Sequence, residues 1–129
     1  MNIPENLKYT DTHEWVRTEG DAAVIGISDF AQRELGDIVY VEVPEVGGDV
    51  SPDEPLGSVE SVKAVSEVRC PLNGTVEGVN EALEDQPELL NSDPYGEGWI
   101  AKIALSDPSQ LDGLMDSAAY AAYVAEQDS

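Results

Sequence analysis

The chain is poor in basic residues and has almost nothing that could cross-link it. Its 129 residues include 6 Lys+Arg against 27 Asp+Glu, with 1 His and 1 Cys, for a formal net charge of −21. Lys8, Arg17, Arg33, Lys63, Arg69 and Lys102 are scattered singly, whereas gripping a phosphate backbone takes clustered Lys and Arg. Nucleic acid and anionic membranes are therefore not expected as partners. A lone Cys70 cannot close an internal disulfide, which fits a reducing compartment. No apolar run approaches the roughly 18 residues of a membrane span, and Met1 to Lys8 lacks the basic and apolar regions of a secretory leader. A cytoplasmic protein is expected. His13 has no second His or Cys at metal-ligand spacing and reads as a structural or surface residue.

What is present is enough for a core. Hydrophobic residues make up 41% of the chain, too many for a disordered acidic tail. A chain of this length buries roughly two-thirds of its unfolded surface, so one domain over residues 1–129 is expected, with no need of metal or disulfide. The acid excess and the scarcity of lysine resemble the cytosolic proteins of salt-accumulating halophiles.

Short strands dominate the pattern. His13 to Thr18 and Ala22 to Ile27 flank a Glu19-Gly20-Asp21 turn and predict a β-hairpin. Ser28 is placed to N-cap a two-turn helix, with Asp29 in its first turn and Gly36 just past its end. Ile38 to Val43 reads as a strand stopped by Pro44 and the Gly47-Gly48 turn. Further strands are predicted near Leu56–Glu60, Val65–Arg69, Thr75–Val79 and Trp99–Leu105, spaced by turn residues as in a sandwich or barrel. Helical signals return only at the C-terminus, over about 107–127, where Ser106-Asp107-Pro108 is a helix start and Tyr120, Tyr123 and Val124 form one apolar stripe. A faint internal echo sets Pro44-x-x-Gly47-Gly48-Asp49-Val50 beside Pro71-x-x-Gly74-Thr75-Val76, as two strand-turn units of a pseudo-twofold β-sandwich would.

Between the halves of that echo stands Lys63, the sole lysine between Lys8 and Lys102. A solvated turn lysine is the plain reading, but a surface that has discarded nearly every other lysine gives a retained one more weight. A Schiff-base or general-base lysine needs burial or a neighbouring cation to depress its pKa. Glu60 and Glu67 do the opposite, so nucleophilic catalysis by the free amine is disfavoured. Covalent modification escapes the objection, since an amide carries no charge to tune.

The segment Gly57-Ser58-Val59-Glu60-Ser61-Val62-Lys63-Ala64 resembles the lipoyl-attachment signature of the H-protein family of the glycine cleavage system. The resemblance extends through His13-Glu14-Trp15-Val16, Gly26-Ile27-Ser28-Asp29-Phe30-Ala31-Gln32, Leu35-Gly36-Asp37-Ile38-Val39 and Pro44-Glu45-Val46-Gly47. It continues in Pro71-Leu72-Asn73-Gly74, in Leu89-Leu90-Asn91 and in Pro94-Tyr95-Gly96-Glu97-Gly98-Trp99-Ile100. Val62 and Ala64 stand where a biotin carrier would show Met on both sides of the lysine.

This resemblance implies a mainly β fold, the lipoyl- and biotinyl-carrier type of barrel-sandwich hybrid, with short helices and a C-terminal helix. It implies lipoic acid in amide linkage to Lys63, set there by a lipoate-attaching enzyme, and a monomeric shuttle with no catalysis of its own. Its partners would be the pyridoxal-phosphate glycine decarboxylase (P protein), the folate-dependent aminomethyltransferase (T protein) and the flavin dihydrolipoamide dehydrogenase (L protein). A polar cleft for the loaded amine would involve Glu14 with Thr12 and Glu67, which stand where Ser and Asp are more usual. Two other roles use the same fold: relay of lipoate to other complexes, and an unmodified binding or regulatory module. Cys70 reads as a small buried hydrophobe, because seven residues of straight strand span roughly 23 Å, beyond an arm of about 14 Å. Trp15 and Trp99 read as packing residues.

The charge generates a test of its own. Between about 0.1 M and about 1 M salt the Debye length falls from about 10 to about 3 Å, which screens the self-repulsion of the acids. The thermal midpoint is expected to rise markedly over that range in scanning calorimetry; equal midpoints would contradict the halophile reading.

Overall fold

Valine- and isoleucine-rich segments separated by Gly, Pro and Asp turns pair here into two antiparallel sheets. The structure is a computed structural model and describes residues 2–52 and 54–127; Met1, Asp53, Asp128 and Ser129, which the expected single domain includes, lie outside the described residues. The first sheet contains β1 (Lys8–Tyr9), β2 (Glu14–Glu19), β3 (Ala22–Ile27), β5 (Asp49–Val50), β8 (Gly74–Val79) and β9 (Ala101–Leu105), in the order β1-β2-β3-β9-β8-β5. The second contains β4 (Ile38–Glu42), β6 (Pro55–Ser61) and β7 (Val65–Arg69), in the order β4-β6-β7. With short helices and a C-terminal helix, this is the expected barrel-sandwich hybrid.

The two sheets enclose one core. Val16, Ile25 and Ile103 from the first meet Val41, Val59 and Val68 from the second. A second cluster of Tyr9, Trp15, Val24, Phe30, Tyr120 and Val124 lies beneath the C-terminal helix. Successive strand residues point to opposite faces, so β2 sends Val16 to one cluster and Trp15 to the other. For the same reason β3 is buried along its whole length and reads as an unbroken apolar run. Trp15 lies across β3 at Gly26, where a Cβ would stand 2.7 Å from the indole ring.

The predicted hairpin forms, with Gly20 at φ 62° in its turn. Helix α1 (Asp29–Leu35) is capped as its sequence suggests: the Ser28 hydroxyl accepts from the Ala31 amide at 3.2 Å, and the Gly36 amide donates to Gln32 O at 2.9 Å. The halves of the internal echo pair with each other, Asp49 opposite Thr75 and Val50 opposite Gly74, an antiparallel arrangement with a local twofold.

Two expectations need correction. Helices are not confined to the C-terminus, because α2 (Ala82–Asp85) and α3 (Leu89–Ser92) intervene. Each is one turn without a side-chain N-cap, held through buried Leu83 and Leu90, and four residues are too few to display a 3.6-residue period. Nor is the 107–127 segment continuously helical. A 3-10 helix, Pro108–Gly113, ends before Met115, which exchanges backbone hydrogen bonds of 2.8 and 2.9 Å with Tyr9, and α4 (Ser117–Gln127) begins after it. Pairing with Tyr9 takes Met115 out of helical geometry.

Candidate functional site

Lys63 sits at the tip of the β6–β7 hairpin. Glu60 pairs with Val65, and the turn Ser61-Val62-Lys63-Ala64 closes through the Ser61 amide donating to Ala64 O at 2.8 Å. The buried Ser61 hydroxyl accepts from the Lys63 and Ala64 amides, each at 3.1 Å, and donates to Ala64 O at 3.3 Å. A short polar side chain serving nearby backbone is what stabilises a tight turn. The backbone is thus fixed while Lys63 and its neighbours Val62, Ala64 and Val65 remain exposed. The hairpin also docks on the corner between α1 and β4, where the Val62 amide donates to Asp37 O at 3.0 Å.

Glu14 is the opposite case, a carboxyl only 2% exposed. Thr10 Oγ1 and Thr12 Oγ1 donate to the same oxygen, Oε1, at 2.6 and 2.5 Å, and the Arg69 amide approaches Oε2 at 3.5 Å. Thr10 Oγ1 also accepts from the Glu14 amide at 3.0 Å. These residues line a cleft of about 260 Å³ together with Asp11 and Cys70. Burial raises the Glu14 pKa above the ordinary glutamate range, and the Thr10, Thr12 and Arg69 donors partly offset the rise. Hydrogen bonds to the charged form are what make a buried carboxylate tolerable without a cation.

The loop that sets these hydroxyls is tight. Thr10 donates its amide to Glu14 O at 2.9 Å, the His13 amide reaches Thr10 O at 3.2 Å, and His13 adopts φ 71°, uncommon outside glycine. Tertiary contacts hold it there. His13 Nδ1 is 2.8 Å from the Tyr120 hydroxyl, its ring packs on Phe30 and Tyr123, and the Tyr123 hydroxyl donates to Asp11 O at 2.9 Å. Helix α4 therefore braces the loop carrying Thr12 and Glu14.

Of the residues singled out in the sequence, the structure brings Thr12 and Glu14 together in one cleft. Exposed Glu67 opposes Ser58 and lines a different hollow of about 320 Å³ with Glu42 and Glu45. It meets the Glu14 cleft through Arg69, whose Nη2 stands 3.6 Å from Glu67 Oε1. Thr10 escaped the sequence reading: it belongs to no motif, and only the closure of the loop brings it onto Glu14. Cys70 is 1% exposed, donates its thiol to Leu72 O at 3.2 Å, and burial pushes that thiol up to about 11. Trp15 is fully buried and Trp99 packs against the same cluster.

The raised Glu14 pKa has a testable sign. Between the ordinary glutamate range and the raised native value, the native state keeps a proton that the unfolded chain has released. The free energy of unfolding contributed by Glu14 therefore falls as pH rises through that window and is flat above it. Urea midpoints of wild type relative to Glu14→Gln should drop across the window and run parallel at higher pH. A difference independent of pH throughout the carboxylate range would show that burial does not perturb Glu14.

Comparison with known proteins bears on the family and the fold. The family model described as glycine cleavage H-protein matches residues 7–127. The chain is 59% identical over 121 residues to the glycine cleavage system H protein of Bacillus mycoides (strain KBAB4), covering 94% of this chain and 95% of that protein. It is 56% identical over 128 residues to that of Anaeromyxobacter sp. (strain K), covering 99% of this chain and 100% of the relative. A crystal structure of a glycine cleavage system H protein from Mycobacterium marinum superposes with a TM-score of 0.84 at 34% identity, covering 98% of this chain and 100% of that one. A family match over nearly the whole length, on the same two-sheet fold, places this chain in the glycine cleavage H-protein family.

Proposed function

We propose that Lys63 bears the lipoyl group and that the Thr12–Glu14 cleft receives the amine at the end of the loaded arm, with Glu67 acting through Arg69. The chain is the lipoyl carrier of a glycine cleavage system. Its partners are then the P, T and L proteins of that system, which supply decarboxylation, transfer to folate and reoxidation, while the carrier itself supplies reach and protection. A lipoyl group held on Lys63 would supply a disulfide able to take up the aminomethyl group of glycine and, after transfer, a dithiol for the L protein to reoxidise.

One observation carries the reading. Lys63 stands at one end of β7 and Arg69, whose amide touches Glu14, at the other. Val65 to Arg69 covers roughly 13 Å at about 3.3 Å per residue, and Lys63 stands two residues further out on the turn, so a lysyl-lipoyl arm of about 14 Å laid back along β7 covers most of that path and points its free end toward the Glu14 cleft. The chain's own chemistry supports each end: an exposed amine on a fixed turn is available for amide formation, and a buried carboxylate favours an ammonium over the neutral amine. An ammonium has no lone pair with which to expel the group that carries it, so holding it against Glu14 slows loss of the cargo. Both Thr hydroxyls engage Oε1, which among the described residues leaves Oε2 with only the long contact to the Arg69 amide.

Intact mass and peptide mapping of native protein are expected to find a lipoyl amide on Lys63 and on neither Lys8 nor Lys102. Lys63→Arg should fold normally, keep the charge and fail in glycine cleavage. Unmodified Lys63 in cells that make lipoate would overturn the assignment. A charge-assisted contact is worth roughly 1.5–3 kcal/mol, and about 1.4 kcal/mol is tenfold in rate. Glu14→Ala should therefore speed spontaneous ammonia release from the loaded carrier about ten- to hundredfold, measured without the transferase, while lipoylation of Lys63 stays intact. Indistinguishable rates would remove Glu14 from the cleft's function.

A further inference from the structure

The tip that carries Lys63 is not held by its own hairpin alone. Next to the ladder pair of Ser61 with Ile38, a backbone bond outward from the Val62 amide to Asp37 O at 3.0 Å ties it to the corner between α1 and β4. At that corner Gly36 has φ 80° and ψ −155°, a conformation that costs a side-chain-bearing residue dearly. Its bare backbone also makes room for the lysine stem: a Cβ there would stand 3.3 Å from Lys63 Cε. The position of the tip against the rest of the fold therefore depends in part on the corner.

A single side chain spans that corner. Asn91, half-buried in α3, donates from Nδ2 to Gly36 O at 2.9 Å and to Gln32 Oε1 at 3.0 Å, and its Oδ1 accepts from the Ile38 amide at 2.9 Å. The bonds to Gly36 and Ile38 bracket Asp37 on both sides. Only a carboxamide has a donor pair and an acceptor in this fork. An aspartate of the same shape would lose both donors and turn an oxygen toward two oxygen acceptors.

We infer that Asn91 is a positioning residue for Lys63: it clamps the Gly36–Asp37 corner on which the lysine turn docks, and so sets where the amine is presented to an attaching enzyme. The inference rests on Lys63 being the attachment site. It assigns α3 a purpose in the carrier beyond packing, since the one polar side chain on that turn with all its hydrogen-bonding groups engaged serves the corner and not the helix.

The test uses the full chain, ¹⁵N-labelled, as wild type and as Asn91→Asp, well below the melting temperature. Val62 amide exchange is read by NMR, and lipoyl attachment by a lipoate-protein ligase with lipoate and ATP is read by intact mass at several carrier concentrations. In Asn91→Asp the Val62 amide should exchange about tenfold faster or more, while Val24 and Ile103 in the other sheet exchange as in wild type. The ligase KM for the carrier should rise about tenfold with kcat little changed. Should Asn91→Asp not fold, Asn91→Ser gives the same pattern at smaller size. Unchanged Val62 exchange and KM, or all amides accelerating together, would overturn the proposal, the latter by showing that Asn91 is only structural. Selective Val62 acceleration in a protein whose wild type takes no lipoyl group at Lys63 would sustain the clamp and sink the attachment reading instead.

Discussion

Burying a carboxyl group in a chain with a net charge of −21 constrains much of what surrounds it. Among the described residues no ion pair engages Glu14, and its oxygens are met by two threonine hydroxyls and one backbone amide. Bringing Thr10, Thr12 and Glu14 within reach of one another folds the loop back on itself and places His13 at positive φ. That conformation persists because Phe30, Tyr120 and Tyr123 pack around the imidazole and the two tyrosine hydroxyls hydrogen-bond the loop. The second hydrophobic cluster thus has a purpose beyond burial: it pins the geometry that makes a buried acid affordable. Strand β2 inherits the consequence, with Val16 in one core and Trp15 in the other.

Lys63 poses the reverse problem. Its side chain must be free while its Cα must not be, and the structure separates the two by spending hydrogen bonds on backbone alone. The Ser61 hydroxyl serves the turn from within and Asp37 O holds it from outside. For the attachment proposed above a lysine so placed would need no perturbed environment, because an amide leaves no charge to tune. Strand β7 then fixes the separation between the exposed amine and the buried acid, a distance that a rigid ladder keeps and a loop would not.

Much of this was legible in the residues. The hairpin around Gly20, the Ser28 and Gly36 caps, strand Val65–Arg69 and helix Ser117–Gln127 all carry local signals that agree with the packing, as consistency across levels requires. The lysine hairpin was legible through its resemblance to a known attachment segment. What was not legible is what arises between segments. Strands of two residues such as Lys8–Tyr9 and Asp49–Val50 have no period to detect, and they exist because a neighbour supplies the ladder. The Met115 break follows from a pairing with Tyr9 across the chain. Thr10 is an ordinary threonine until the loop closes, and Glu67 lines a different hollow from the one the family resemblance implied.

The bracing of the Glu14 loop by helix α4 also sets an order of events in the growing chain. Strands β4, β6 and β7 are complete once residue 69 has been made, and Asn91 follows soon after. The hydrogen bond from Tyr123 to Asp11 spans 112 residues, and that from His13 to Tyr120 spans 107. Closing loops of that length waits until residues 120 and 123 have been made. The strands that display the lysine are thus synthesised first, whereas the loop that shelters the carboxylate gains its support only later. An emerging chain has the strands of the Lys63 hairpin before the brace for the Glu14 loop.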